Sequence, residues 1–396
     1  MAGRGRVSGS SVVVLCLLLV SLVACGGRPA ADPVRAEVQG VLDRRAAAVL
    51  GHDRDAWART GAGPGLGNLS EVPLASWSYR VTGVRRTGDT VTADVDLSYR
   101  LRGHDRGAVT TARTVRLGRD DDGRWTVDSD RPAERSAQQL WDQGPVRVVR
   151  GEHGIVLGVG QSARALRGYA DLADRAVPAV SDAWDGHWAR RIVVLVPGSL
   201  EAMAGLLGSS ASSYRGIAAV TTGQTGGREQ APADRIVVNP DAYGVLGAVG
   251  RQVVLTHETT HVATRAHTTG ATPLWLSEGY ADWVGYRGSG RSPAQAAPEL
   301  ARAVLEGRPP DALPTDDDFA FTGEADALAR AYEGGWLACR MIADRWGEDR
   351  LDAFYRAVGA HDGREGAVED AMREVLGTTP EDFTARWRAY LRTVLG

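Results

Sequence analysis

The chain has 396 residues, of which 43% are hydrophobic and 24% charged. That is apolar enough to build two domains of ordinary size and excludes a mainly disordered protein. Its net charge is -3 with both signs scattered and no basic block, so nothing in the charge pattern provides a footprint for nucleic acid.

At the N-terminus, Arg4 and Arg6 precede an apolar run from Val12 to Val20, followed by Leu22-Val23-Ala24-Cys25 and a Gly- and Pro-containing segment. This order reads as a signal peptide over residues 1–24. The run is shorter than the roughly 20 residues that a membrane-spanning helix needs. The phrase LVAC resembles the bacterial lipobox, whose cysteine becomes the lipidated first residue of the mature protein. The resemblance implies Cys25 as a lipid anchor, residues 25–33 as a lipidated linker, and attachment to the extracytoplasmic face of the cell membrane, or secretion where the motif is not used. Of the three cysteines, Cys16 then leaves with the signal and Cys25 is lipidated. Cys339 remains alone in an apolar helical run, where a cysteine acts as a small core residue.

Residues 34–60 show helical apolar spacing through Val34, Val38, Val41, Leu42, Ala46, Val49 and Leu50. From Trp77 the period changes to two, in SWSYRVTGV, DTVTADVDLSYRL, AVTTARTVRL and RWTVDS, which predicts an antiparallel meander. Asp120-Asp121-Asp122-Gly123 falls between two of these strands and reads as a hairpin turn; the spaced ligands of a calcium loop are missing. Helices followed by a meander resemble the NTF2-like fold over residues 34–130, and the resemblance implies a role in binding, spacing or partner contact. Residues 131–145 are polar and read as a linker.

A second unit is expected over residues 146–396. VRVVRGEHGIVLGVG predicts a hairpin, ALRGYADLADRAVPAVSDAWD an amphipathic helix, RRIVVLVP a buried strand, and IAAVTT and DRIVVNP two more strands. A long helix from about Tyr243 to His267 follows, then a helix over PLWLSEGYADWVGY, and helices to the end beyond the loop RPPDALPTDDDF. Thr379-Pro380 supplies a cap for the last one. The fold class is α+β, with a mixed sheet feeding a helical C-terminal half.

The chemistry concentrates in VVLTHETTHVATRA, residues 253 to 266. Residues four apart share one face of a helix, so His257 and His261 can reach a single cation. Glu258 is offset from His257 by about 100 degrees, close enough to meet a water beside the ion without binding the ion. Glu278 in WLSEGYAD, 17 positions after His261, offers a third ligand. HETTH followed by WLSEGYAD resembles the gluzincin zinc metallopeptidases of peptidase clan MA. The resemblance implies a thermolysin-like zincin domain, one Zn2+ per chain held by His257, His261 and Glu278, and Asp282 hydrogen-bonded to a ligating histidine. It also implies Glu258 as general base, a peptide or protein substrate, and an extended peptide aligned against IAAVTT or RIVVNP. Ala331-Tyr332-Glu333-Gly334-Gly335 resembles the YEKG phrase of the aminopeptidase branch, which gives Tyr332 the role of donor to the tetrahedral intermediate; a tyrosine opening an apolar helix also serves as a packing residue. The GxMEN phrase of that branch is absent. The alternative function is a catalytically inactive zinc-binding lipoprotein that acts as a partner- or cell-wall-binding module. His267 is expected to be exposed, and His153, His187 and His361 have no partner at ligand spacing.

Overall fold

The computed structural model describes residues 33–61, 65–223, 233–320 and 325–396. The expected signal peptide and the lipidation site at Cys25 lie outside them. The described chain opens with helices α1 (Pro33–Gly51) and α2 (Arg54–Ala58). Strands β1 (Leu74–Thr87), β2 (Thr90–Leu101), β3 (Val109–Arg119) and β4 (Trp125–Pro132) then form a four-stranded antiparallel sheet in sequential order. The alternation of β2 is what folds this unit: Val91, Ala93, Val95, Leu97, Tyr99 and Leu101 are buried, and they share a core with Val38, Val41, Leu42 and Val49 of α1. The Asp120–Gly123 stretch is the β3–β4 turn, in which Asp120 accepts the N–H groups of Asp122 and Arg124 at 3.1 and 2.8 Å, so its carboxylate is spent on the turn.

The stretch 131–145, expected as a linker, packs closely against the first unit. Trp141 stands against Trp77 and Tyr99 at ring distances of 5.3 and 4.9 Å, and Asp142 takes the guanidinium of buried Arg113 at 2.9 Å.

Next come β5 (Arg147–Arg150), β6 (Gly154–Gly158), α3 (Ala163–Ala183), β7 (Ile192–Val196), α4 (Leu200–Leu207), β8 (Ala219–Thr222) and β9 (Arg235–Val238). The strands build a five-stranded mixed sheet in the order β5-β6-β7-β9-β8, in which β6, β7 and β9 run parallel and the outer strands β5 and β8 antiparallel. Both faces are apolar. Val156, Ile192, Val194, Ile236 and Val238 join the core beneath the helices, while Ile155, Leu157 and Val193 join the core of the N-terminal sheet. Unbroken apolar runs such as IVVLV are the signature of a strand covered on both sides. Arg235 of β9 adds a bidentate pair to buried Asp105, just past β2, at 2.7 and 2.8 Å.

The rest is helical: α5 (Pro240–Gly244), α6 (Ala248–Thr264), α7 (Leu274–Tyr286), α8 (Pro293–Ala296), α9 (Pro298–Leu305), α10 (Ala325–Trp346), α11 (Glu348–Ala360), α12 (Ala367–Ala371) and α13 (Pro380–Leu395). The fold class is therefore mixed α+β with a helical C-terminal half. The single helix expected over residues 243 to 267 is interrupted, because Gly247 is extended and starts α6 afresh, and a tight turn over Arg265–His267 ends it. His267 is half-buried rather than exposed, its ring edge-on to Trp184 at 5.4 Å. Cys339 is buried in α10. No helix among the described residues is long and apolar enough to cross a membrane.

Behind α7, Tyr280 donates a hydrogen bond to Asp352 within an aromatic cluster that includes Trp184 and Tyr355. Burial, reinforced by the nearby carboxylates of Asp349 and Glu348 against the opposing Tyr280 hydrogen bond, pushes the Asp352 pKa up to about 7. The folded value lies above the unfolded one of about 3.9, so the stability this group contributes is full below that value and is lost as pH rises through 7. Asp352→Asn keeps an acceptor for Tyr280 without the charge. It is expected to raise the thermal unfolding midpoint by roughly 2–6 °C at pH 8 and by little at pH 4; calorimetry showing equal shifts at both pH values would contradict the assignment.

Candidate metal centre

Helix α6 carries HETTHVAT through the interior, which demands that its polar groups find partners. The buried hydroxyls of Thr259, Thr260 and Thr264 each donate one turn back, to the carbonyls of Leu255, Thr256 and Thr260 at 2.7, 2.8 and 3.0 Å. The helix thus satisfies its own threonines. Helix α7 lies close against it, because a side chain at Gly285 would meet the Val253 carbonyl oxygen at 3.1 Å.

On the other flank α7 meets α10 backbone to backbone. A Cβ at Gly279 would run into the Gly335 carbonyl, and one at Gly335 would stand 2.6 Å from the carbonyl oxygen of Trp275. Both glycines stand inside the quoted phrases around Tyr332 and Glu278, and a glycine inside a helical pattern signals such close approach.

Three of the sequence-derived residues converge. The Nε2 atoms of His257 and His261 are 3.0 Å apart, and Glu278 Oε2 stands 3.2 Å from the first and 3.5 Å from the second. A tetrahedral ion with bonds of about 2.0–2.1 Å places its ligand atoms about 3.3–3.4 Å from one another. The triangle has that size, and the donor set of two imidazoles and a carboxylate is compatible with a zinc site. Asp282 lies one turn beyond Glu278, and its Oδ1 is 2.7 Å from Nδ1 of His257. This holds the proton on Nδ1 and turns the lone pair of Nε2 toward the other two groups.

Charge makes the same point. Burial opposes charging His257, yet Asp282 and Glu278 together hold its pKa well above the ordinary value. Glu278 is likewise disfavoured as an anion by burial, but His261 and His257 hold it far below the usual carboxylate range. Among the described residues no Arg pairs with Glu278, Asp282 or Glu258. The cluster draws in positive charge, which a divalent ion supplies.

Glu258, 7% exposed, is fixed by a contact that the sequence did not disclose. The hydroxyl of Thr221 on β8 stands 2.6 Å from its Oε2 and 3.0 Å from its backbone carbonyl. Thr221 became visible only with the strand order, since β8 is the outer strand beside α6 while β9 is interior. Of the two strands expected to align an extended peptide, β8 is the outer one among the described residues.

Glu258 and His257 open onto a cleft of about 520 Å³ whose walls include Tyr286, Tyr332, Trp336 and Arg215. Tyr332 is brought here by the α7–α10 crossing and packs edge-on against Phe319 at 5.1 Å. Burial raises its pKa far above the ordinary phenol value, and the carboxylates of Glu278, Asp282 and Glu258 push the same way; its hydroxyl keeps its proton and is a donor. Among the described residues no hydrogen bond occupies it.

No protein-family model and no curated protein matches the chain. Among solved structures it is similar to native yeast LTA4 hydrolase, with a TM-score of 0.37 and 13% identity over 69% of this chain and 43% of that one. It is also similar to a mutant two-domain M1 zinc metallopeptidase bound to L-arginine, with a TM-score of 0.35 and 16% identity over 81% of this chain and 61% of that one. The chain thus spans less than two thirds of either structure. At these scores neither likeness bears on what the residues above do.

Two substitutions probe the geometry. Asp282→Asn is expected to weaken binding of a divalent ion about 10–100-fold with the fold intact, read by chelator competition; unchanged affinity would remove Asp282 from the centre. Gly335→Ala, which forces α10 off Trp275, is expected to cost about 1–3 kcal/mol of stability in denaturant titration, where an exposed glycine would gain from the change.

Proposed function

We propose that this chain is a zinc-dependent metallopeptidase of gluzincin type that hydrolyses peptide bonds, tethered through Cys25 at the outer side of the cell membrane. The observation that carries the reading is the convergence of His257, His261 and Glu278 beside a cleft into which Glu258 and Tyr332 both face. His257, His261 and Glu278 would hold the ion, with Asp282 orienting His257. When bound, zinc supplies Lewis acidity, lowering the pKa of water toward 7 and polarising a carbonyl oxygen.

The remaining work falls to the side chains of the cleft. Glu258, steadied by Thr221, takes a proton from the attacking water and returns it to the leaving amine as the peptide bond breaks. Tyr332, protonated and without a hydrogen bond among the described residues, donates to the oxygen that gains negative charge in the transition state. The apolar wall around Trp336 keeps bulk water away, and the outer edge of β8, which no described strand covers, offers backbone hydrogen bonds to an extended peptide. The N-terminal helix laid over an antiparallel meander supports an NTF2-like reading of residues 34–130 as a binding or spacing unit.

An inactive zinc-binding lipoprotein is the competing reading. A structural zinc site closes with four protein ligands; here three groups converge among the described residues and a further acid is hydrogen-bonded in place at the cleft. Placement of Glu258 favours turnover.

Glu258→Gln is expected to keep about one equivalent of zinc and to lose at least about 100-fold in kcat/KM. A peptide library digested by the zinc-loaded wild type and variant, with products read by mass spectrometry, measures this. Equal cleavage by both, or none by a zinc-loaded wild type, sinks the reading.

A further inference from the structure

Helix α9 has no cap of its own. Its N-cap position is Ala297, which offers no side-chain acceptor, and Pro298 follows, so the N–H groups of Glu299 and Leu300 have no carbonyl partner within the helix. Glu333 supplies one from α10. Its Oε1 accepts the N–H of Glu299 at 3.2 Å and its Oε2 that of Leu300 at 2.6 Å, so both oxygens of one carboxylate tie α9 to the residue after Tyr332.

Stability does not explain the tie. Burial first, then the carboxylate of Glu299, push the pKa of Glu333 up to about 7, against the two N–H groups and Arg330, which favour the anion. The folded value lies above the unfolded one of about 4.3. The stability this group contributes is therefore full below the unfolded value and is lost as pH rises through 7. Above neutral pH the protein holds a carboxylate where its charge is unfavourable.

Its place in the cleft gives the tie a use. Half-buried Glu333 lines the cleft together with Ala296, the last residue of α8. Val254, Leu328, Ala329 and Trp336 line the same space, which suits it to an apolar side chain. Helix α10 is held in place by the backbone contact of Gly335 with Trp275, whereas the junction of α8 and α9 is joined to α10 through the Glu333 side chain. We propose that Glu333 is a positioning residue: by capping α9 it sets Ala296 against the rest of the cleft and so determines the fit of a large apolar side chain of the substrate. That the ligand is a peptide rests on the peptidase reading; the tie does not.

The test uses the full chain loaded with zinc, in a Glu258→Gln background that separates binding from cleavage, titrated calorimetrically with a blocked Ala-Ala-Phe-Leu-Ala-Ala peptide at pH 8. Glu333→Ala is expected to weaken binding roughly tenfold, the low end of what apolar contacts in a pocket are worth, with the zinc content unchanged. Glu333→Gln, which keeps one acceptor oxygen, is expected to recover most of the affinity with a thermal midpoint no lower than that of its parent. With Glu258 restored, Glu333→Ala is expected to raise KM for the same peptide by the same factor and to leave kcat within about twofold, because Tyr332 stays on the helix that Gly335 holds. A tie kept for stability alone would lower the midpoint in both variants and leave the affinity unchanged. That result, no binding of the peptide, or a loss confined to kcat overturns the proposal. An intact difference in affinity without any cleavage by the zinc-loaded wild type overturns the peptidase reading and upholds the role of Glu333.

Discussion

The approach of α7 to α10 governs the geometry of the candidate centre. With Gly279 facing the Gly335 carbonyl and Gly335 facing Trp275, the two helices touch through their backbones, and no side chain is available to flex and absorb an error. Gly285 brings α7 almost as close to α6. Helix α7 is therefore fixed from both sides, and Glu278 and Asp282 project from it across a set gap toward the imidazoles of α6. Tyr332, one turn before Gly335, reaches the same cleft for the same reason. A metal centre tolerates errors of only about 0.2 Å in ligand distance, so ligands borne on two helices demand contacts of this stiffness.

That stiffness also lets the protein hold an unfavourable arrangement of charge. Buried Glu258 and half-buried Glu278 and Asp282 are gathered with two imidazoles, and their hydrogen bonds go to histidine and threonine rather than to arginine. Buried acids without counter-charge are expensive. The elevated pKa of His257 and the depressed pKa of Glu278 are the local response, and each expresses a site that is more stable with positive charge inside it. Proton and divalent ion compete for that role.

Much of this was legible in the sequence because helical periodicity turns spacing into geometry. His257 with His261 and Glu278 with Asp282 are each four apart, which fixes a shared face within each helix. That the two faces meet came from resemblance to a family, since periodicity says nothing about which helices cross. Thr221 could not be found in this way: its contact with Glu258 depends on β8 being the outer strand, a matter of sheet order. Local chemistry misled where tertiary packing prevailed. Residues 131–145 are polar enough to pass for a linker, yet Trp141 and Asp142 close the first core. Helices α8 and α9 fall between the segments that apolar spacing marks, and each opens on a proline at its first position, where a missing N–H costs nothing.

The central sheet decides how far the two halves can be regarded as separate. Its helical face and its N-terminal face are both apolar, so Ile155, Leu157 and Val193 would be left in water without the meander that covers them. The Arg235–Asp105 pair adds an electrostatic condition. Each partner is buried, and taking one away leaves the other as an uncompensated charge in the interior, a loss of about 3–5 kcal/mol in comparable buried pairs. A tethered module would meet its neighbour through a wet, polar surface. This contact has instead the apolar character and the enclosed ion pair of a domain interior, so the N-terminal unit forms one face of the scaffold that holds α6 in place.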